Sequence, residues 1–310
     1  LFGVRSGFLD LSVLDTTDPA VVCSHAERLE PARTIFIPAT KSGGTVETLS
    51  LLKYFYNRTR DGVGGDNAGQ HFIAITDPGS GLADLATDLH FRHTFLNDSE
   101  IGGRYSALSL FGMVPAHLIG IDTARLLDRA RTTADECRGR GANSGLDLGA
   151  AMACAAIAGR DKLSFLTDAA LSPIGAWIEQ LIAESTGKEG KGILPINVES
   201  PGSVGDYGAD RLFAYLRRDG ELDELVEQLC RTGHPVLRLD IGDDYDIGGE
   251  FFRWEMATVI ASHCLGINPF DQPNVEAAKI LALTLTEAYI RDGELPQEEA
   301  IWSDGGLSCY

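Results

Sequence analysis

Short apolar runs alternate with segments of helical periodicity along most of the chain, and this alternation is what most constrains the fold. The β-rich apolar runs lie at residues 34–38, 71–76, 162–166, 212–216 and 235–239, and helical patterns lie between them. Strands that alternate with helices form a parallel sheet with helices on both faces. The sequence therefore predicts an α/β fold whose ligands gather at the carboxyl ends of the strands.

Residues 138–145 are rich in Gly, Arg and Asn and are the best candidate for a linker. We therefore predict two domains, at 1–140 and 141–310. The second is expected to end in two helices, at 251–265 and 275–289.

Three further segments are assigned from local signals. Residues 11–14 are predicted to form a strand, 104–120 a single helix and 187–208 a loop-rich stretch.

A turn rich in hydroxyls and glycine follows the strand pattern at 34–38 and precedes a helix pattern that begins at Thr45. The hydroxyls of Thr40, Ser42 and Thr45 can donate to oxygen atoms, and the exposed N–H groups at a helix start favour an anion. Two glycines allow a ligand to approach the backbone closely. This chemistry suits a phosphate, but an ordinary glycine-containing turn fits the same residues equally well, so both interpretations stay open.

The composition excludes several classes of partner. A formal net charge of −19 over 310 residues argues against nucleic acid, whose phosphates demand a basic surface. No apolar run approaches the length needed to span a bilayer, so no membrane partner is predicted.

The cysteines and histidines give no sign of a metal site. The six cysteines are scattered without a Cys-x-x-Cys pair, which predicts reduced thiols in a cytoplasm. His90 and His93 are the only close histidine pair, and they lack Cys, Asp or Glu partners at ligand spacing. We therefore predict neither a metal nor an organic cofactor.

Four segments, in order, resemble motifs of the SIS-domain phosphoglucose isomerases. They are Thr-Lys-Ser-Gly-Gly-Thr-Val-Glu-Thr at 40–48, Ile-Gly-Gly-Arg-Tyr-Ser at 101–106, Glu-Ser-Thr-Gly-Lys at 184–188, and Asn-Pro-Phe-Asp-Gln-Pro-Asn-Val-Glu at 268–276 with Lys279. The amino-acid sequence is most similar to that of the isomerase half of bifunctional transaldolase/phosphoglucose isomerases. The resemblance implies two SIS-type (flavodoxin-like) three-layer αβα domains with parallel sheets.

The resemblance also implies an activity, the interconversion of glucose 6-phosphate and fructose 6-phosphate through a cis-enediol(ate). In this interpretation Glu184 is the base that moves the proton, Arg104 stabilises the developing negative charge, and Lys279 helps to open the sugar ring. A solvated carboxylate at a helix end is the plain alternative for Glu184.

The same resemblance assigns the groups that bind the substrate. Gln180 matches a glutamine that contacts the substrate, and it lies one helical turn before Glu184. The remaining predicted binding residues are those of the phosphate turn and of the second motif, namely Thr40, Lys41, Ser42, Thr45 and Gly103. An acidic chain must concentrate its cations at such a site, and Lys41, Arg104 and Lys279 are the candidates.

No residue is clearly assigned to one step of the reaction, the opening of the sugar ring. Phosphoglucose isomerases use a histidine for ring opening, and a rough alignment places Asp210 at that position. Either Asp210 substitutes, or a histidine lies beyond Tyr310, or the chain isomerises poorly; we favour the second. A Gly-Gly-Ser loop of the family is also missing before residue 1, so the first domain is expected to be incomplete.

These gaps keep a second function open, that of a non-catalytic SIS-type module that binds sugar phosphates. A transaldolase is disfavoured because its Schiff-base lysine requires a barrel pattern that the sequence lacks. The expected partner is a sugar phosphate, and by analogy the chain is a homodimer or part of a larger fusion chain.

Overall fold

Helices and short strands alternate along the chain in the computed structural model. It describes residues 1–3, 5–139, 141–197, 199, 202–271, 273–295 and 299–309, with backbone alone at 273–277 and 279. The helices are α1 (Pro19–Arg28), α2 (Val46–Val63), α3 (Gly65–Ala68), α4 (Gly81–Asp88), α5 (Leu110–Leu118), α6 (Thr123–Arg138), α7 (Ser144–Ile157), α8 (Ser172–Thr186), α9 (Asp223–Arg231), α10 (Ile247–Leu265) and α11 (Pro273–Asp292). The strands are β1 (Ile73–Thr76), β2 (His93–Leu96), β3 (Lys162–Thr167), β4 (Leu194–Ile196), β5 (Arg211–Arg217), β6 (Val236–Asp240), β7 (Trp302–Asp304) and β8 (Leu307–Cys309).

Two parallel sheets form the centres of the two halves. Strands β1 and β2 pair in parallel, and the predicted strand at 34–38 joins them through isolated bridges from Phe36 to Phe72 and from Ala39 to Ile75. The second sheet has the order β4-β3-β5-β6 and is parallel throughout. The predicted α/β class with parallel sheets is confirmed, whereas the division at residue 140 stays a prediction.

Three local predictions are wrong. Residues 11–14 form no strand, since Leu11 and Val13 are exposed and no neighbouring strand pairs with them in the described part of the chain. Strand β4 lies inside the predicted loop-rich stretch. The predicted helix at 104–120 is a 3₁₀ turn followed by α5, because the Ser109 hydroxyl caps α5 by accepting from the Phe111 N–H at 3.3 Å.

Helix α10 is buried in the core of the second half, as its nearly all-apolar sequence indicates. It packs against α6 and α7, and the side chains of Trp254, Ala257 and Ala261 are inaccessible to solvent. Helix α6, from the first predicted domain, therefore shares its buried face with the second. No helix in the described residues is long and apolar enough to cross a bilayer.

Gly43 lets the turn at 40–45 lie directly against the start of α4. Its φ is +72°, and a Cβ at this position would lie 2.5 Å from the Leu82 nitrogen and 2.8 Å from the Gly81 nitrogen. Both the left-handed backbone and the close contact require glycine.

We expect Gly43→Ala to destabilise the protein by roughly 1–3 kcal/mol, because the new methyl group must displace backbone atoms. Urea denaturation measures this loss. Gly44→Ala is the matched control, since a Cβ there meets nothing closer than the Ser42 Oγ at 3.9 Å. Equal stability of the two variants would contradict the packing described here.

Asp168 ties the end of β3 to the loop after β5. It is fully buried, and its Oδ2 accepts from the backbone N–H groups of Arg218, Asp219 and Gly220 at 2.9, 2.6 and 2.7 Å. The Tyr215 hydroxyl donates to Oδ1 at 3.0 Å. Burial alone would raise the pKa of Asp168, but these hydrogen bonds together outweigh burial and hold that pKa below its ordinary value.

Asp168→Asn is expected to cost about 2 kcal/mol of folding stability at neutral pH, because an amide accepts these bonds less well than a carboxylate. The folded pKa is lowered, so the stabilisation by Asp168 is complete above the unfolded pKa of about 3.9 and is lost as the pH falls through the folded value. Denaturation curves from pH 7 to pH 3 should show the two proteins converging in acid. A constant gap would contradict this account.

Candidate active site

Glu184 lies in the last turn of α8, and Gln180 lies one turn before it. The Gln180 Nε2 donates to the Glu184 Oε1 at 3.0 Å. The same helix is buried at Ile178, Leu181 and Ile182, which fixes it in place. The Glu184 side chain is 37% exposed, so its carboxylate can meet a ligand while its orientation is restrained.

Arg104 lies against this carboxylate. It comes from the 3₁₀ turn Gly103–Tyr105, and its Nε lies 3.2 Å from the Glu184 Oε2. Its NH1 donates to the Ser185 Oγ at 2.6 Å and to the Pro269 carbonyl at 3.0 Å. The guanidinium is buried, which strengthens its electrostatic effect on any charge nearby.

Tyr105 supports the same arrangement. Its hydroxyl forms a hydrogen bond with the Ser185 Oγ at 3.2 Å, and its ring packs against Phe270 with centroids 5.3 Å apart. Burial raises the pKa of Tyr105 above its ordinary value, so the phenol is neutral in this site.

The C-terminal motif is joined to the glutamate segment through Lys188. Its Nζ donates to the Asn268 carbonyl at 2.7 Å and to the Asp271 carbonyl and Oδ1 at 2.6 and 2.8 Å. Three of the four sequence motifs therefore meet around Glu184. Lys279, the catalytic lysine predicted from the fourth motif, lies in α11, and its side chain is outside the described residues.

The phosphate turn lies at the carboxyl end of the first sheet, as parallel sheets require of a ligand site. The Thr40 and Thr45 hydroxyls bond each other at 2.8 Å, and the Thr76 hydroxyl donates to the Thr40 carbonyl at 2.7 Å. Thr45 occupies the N-cap of α2, yet its side chain does not cap the first N–H groups of this helix. Ser42 is exposed and accepts from the Gly44 N–H at 3.3 Å.

Lys41 connects this turn to the segment that carries Arg104. Its ammonium pairs with the Asp77 carboxylate and donates to the Ser99 carbonyl at 2.5 Å. Ser99 precedes Arg104 by five residues, so their Cα atoms lie no more than about 18 Å apart. The Lys41 charge is thus already compensated by Asp77, which the sequence did not reveal.

Gly103, also predicted to bind substrate, leaves room beside Arg104. A Cβ at Gly103 would meet no atom within 4 Å. The backbone before the arginine is therefore open to a ligand.

The comparisons with known proteins place the chain in a family. A model of the family described as phosphoglucose isomerase matches residues 4–200, which is more than half of the chain. The chain belongs to the phosphoglucose isomerase family. A protein named glucose-6-phosphate isomerase from Rubrobacter xylanophilus is 29% identical over 87% of this chain and 72% of its own length.

Two solved structures have a fold similar to that of this member of the phosphoglucose isomerase family. A hypothetical protein from Thermus thermophilus matches with a TM-score of 0.79 and 24% identity, over 87% of this chain and 76% of its own. A glucose-6-phosphate isomerase from Chlamydia trachomatis matches with a TM-score of 0.72 and 19% identity, over 90% of this chain and 63% of its own. At these identities the likeness establishes the SIS-type fold alone.

Asp210 lies apart from the group around Glu184. Its Oδ2 pairs with the Lys162 Nζ at 2.9 Å just before β5, and none of the described contacts joins it to Arg104 or Glu184. The hydrogen bond from Lys162 holds the pKa of Asp210 below its ordinary value, so this carboxylate is a poor proton donor at neutral pH. The arrangement gives no support to Asp210 as the group that opens the ring in this phosphoglucose isomerase family member.

Sequence reasoning missed the supporting residues of the site. Ser185, Tyr105 and Lys188 stand inside the quoted motifs, next to or near the residues that were assigned roles. The available signal was that Arg104 and Glu184 were assigned to the same reaction. Their neighbours in the second and third motifs could therefore be expected to contact one another.

Proposed function

We propose that this chain is a glucose-6-phosphate isomerase that interconverts glucose 6-phosphate and fructose 6-phosphate through a cis-enediolate. The observation that carries the proposal is the Glu184 carboxylate, held by Gln180 at 3.0 Å and facing the buried Arg104 at 3.2 Å. Membership of the phosphoglucose isomerase family supports it.

The chemistry requires one base and one fixed positive charge. Glu184 removes the proton from the carbon beside the carbonyl and returns it to the neighbouring carbon. The negative charge that develops on the substrate oxygens is stabilised by Arg104, whose position is fixed before the substrate binds. Because the two sugars are isomers, the step needs no oxidant or reductant.

The other end of the substrate is assigned to the phosphate turn. The hydroxyls of Thr40, Ser42 and Thr45 and the uncapped N–H groups of α2 would bind the phosphate oxygens. Lys41 would add its charge, shared with Asp77. Lys279 is proposed to assist ring opening from α11.

A coupled assay tests the proposal by following the interconversion of glucose 6-phosphate and fructose 6-phosphate in both directions. Isothermal titration with each sugar phosphate is run on the same preparation. Turnover with binding supports the isomerase, whereas binding without turnover identifies a non-catalytic sugar-phosphate module. The separate position of Asp210 is the observation that favours the second outcome.

We also propose that the chain acts as a homodimer, which large exposed apolar side chains support. Ile280 and Ile290 of α11 are 64% and 77% exposed, and Ile301 is 83% exposed. Several exposed apolar side chains on one helix, such as those of Ile280 and Ile290, support an interaction surface there. Sedimentation equilibrium distinguishes a dimer from a monomer, and membership of a larger fusion chain is the other possibility for the same surface.

A cytoplasmic location is proposed from the cysteines. All six carry free thiols, and five of them are exposed. Exposed thiols persist in a reducing compartment.

A further inference from the structure

Lys188 is buried in a way that is unusual for a lysine. Its side chain is 3% exposed, and its ammonium donates to three oxygens, all of which belong to Asn268 and Asp271. An ammonium has three N–H donors, so this one is fully satisfied by a single segment of chain. Lysines are rarely buried unless they are paired in this manner.

The segment at 268–271 depends on cations to satisfy its backbone. It lies between the end of α10 at Leu265 and the start of α11 at Pro273, outside any helix or strand. Lys188 donates hydrogen bonds to the carbonyls of residues 268 and 271, and Arg104 donates one to the carbonyl of Pro269. The Pro269 carbonyl is buried and needs such a partner, whereas Asn268 and Asp271 are exposed residues. Lys188 and Arg104 together therefore hold the segment between the last two helices.

We propose that Lys188 is a positioning residue for the isomerase reaction, because it fixes the segment at 268–271, whose Pro269 carbonyl accepts from Arg104 and so helps to hold that guanidinium against Glu184. The inference rests on the proposed function. Lys188 lies four positions after Glu184, just beyond the end of α8. The base and the arginine that faces it are thus both joined to the segment that Lys188 holds.

Lys188→Met tests this, because methionine preserves most of the side chain volume and removes the three donors. We expect kcat to fall about 100-fold, since misplacement of a catalytic group by about 1 Å has such an effect. KM should change little, because the phosphate turn is untouched. Lys191→Met is the matched control: Lys191 is an exposed lysine three positions along that donates to the Leu265 carbonyl, and its replacement should leave kcat within about twofold.

A double variant separates positioning from a general structural role. If Lys188 acts through Arg104, then Lys188→Met added to Arg104→Lys should lower kcat no further. Independent losses that multiply, or a Lys188→Met enzyme with wild-type kcat, would overturn the inference. Should Lys188→Met fail to fold, Asp271→Ala removes the side-chain acceptor at a half-exposed position, and unchanged kcat in that variant would equally overturn it.

Hydrogen exchange keeps this test distinct from that of the proposed function. Absence of activity in the wild-type protein contradicts the isomerase proposal alone. In either case the amides of residues 268, 270 and 271 should exchange faster in Lys188→Met than in Lys191→Met, and equal rates would show that Lys188 does not hold this segment.

Discussion

Replacement of Glu184 by glutamine is expected to lower kcat for the isomerisation of glucose 6-phosphate by a factor of about 10² to 10⁴, the range that a positioned general base contributes. Glutamine keeps the size of the side chain and can still bond Gln180, whose Nε2 lies 3.0 Å from the Glu184 Oε1. It cannot accept a proton. KM should therefore change much less than kcat in a steady-state assay.

Glu179→Gln is the control for this experiment. Glu179 lies on the same helix and is exposed, so its loss removes one negative charge from α8 without touching the site. Its kcat should stay within about twofold of the wild-type value, as expected for a surface substitution. Wild-type activity in Glu184→Gln would remove the base from the mechanism.

Arg104→Lys is expected to lower kcat by a factor of about 10² to 10³, although it conserves the charge, because removal of a single preorganised donor from a charge-stabilising site has an effect of this size. The guanidinium contacts Glu184, Ser185 and the Pro269 carbonyl at once. A lysine ammonium is a compact point charge and cannot reproduce this planar set of contacts.

Arg131→Lys is the matched control, because Arg131 is 73% exposed on α6 and its surface ion pair with Asp128 contributes little to stability. Circular dichroism should show that both variants fold. If Arg104→Lys retained kcat within about threefold of the wild type, the charge alone would suffice and the geometry of the guanidinium would not matter.

The fold class was predictable because strand and helix periods are local properties of the sequence. The helices α2, α10 and α11 begin or end within a few residues of their predicted positions. The errors at 11–14 and at β4 concern strand pairing with distant partners, whereas the error at 104–120 reflects the local cap at Ser109. Residues 34–38 pair only through isolated bridges, and β4 exists because Leu194 to Ile196 pair with the start of β3. Pairing of this kind is not encoded in a short window.

The roles in the site came from the family resemblance, whereas its supporting contacts came from the structure. Ser185 lies 81 positions from Arg104, and Lys188 lies 80 and 83 positions from its acceptors. Neither spacing nor composition predicts such contacts. For Lys41 the family motif predicted a phosphate ligand. The fold instead placed the carboxylate of Asp77 beside its ammonium, which the sequence did not reveal.

The contact of Gly43 with Gly81 and Leu82 brings the amino ends of two helices, α2 and α4, to one small turn. Each helix end carries roughly half a positive charge. A protein of net charge −19 repels a dianion at long range, yet this repulsion is screened beyond about 8 Å at physiological ionic strength. Attraction by the paired helix ends acts inside that distance. If the turn binds phosphate as proposed, added salt is therefore expected to weaken the long-range repulsion of the substrate more than the attraction at the helix ends.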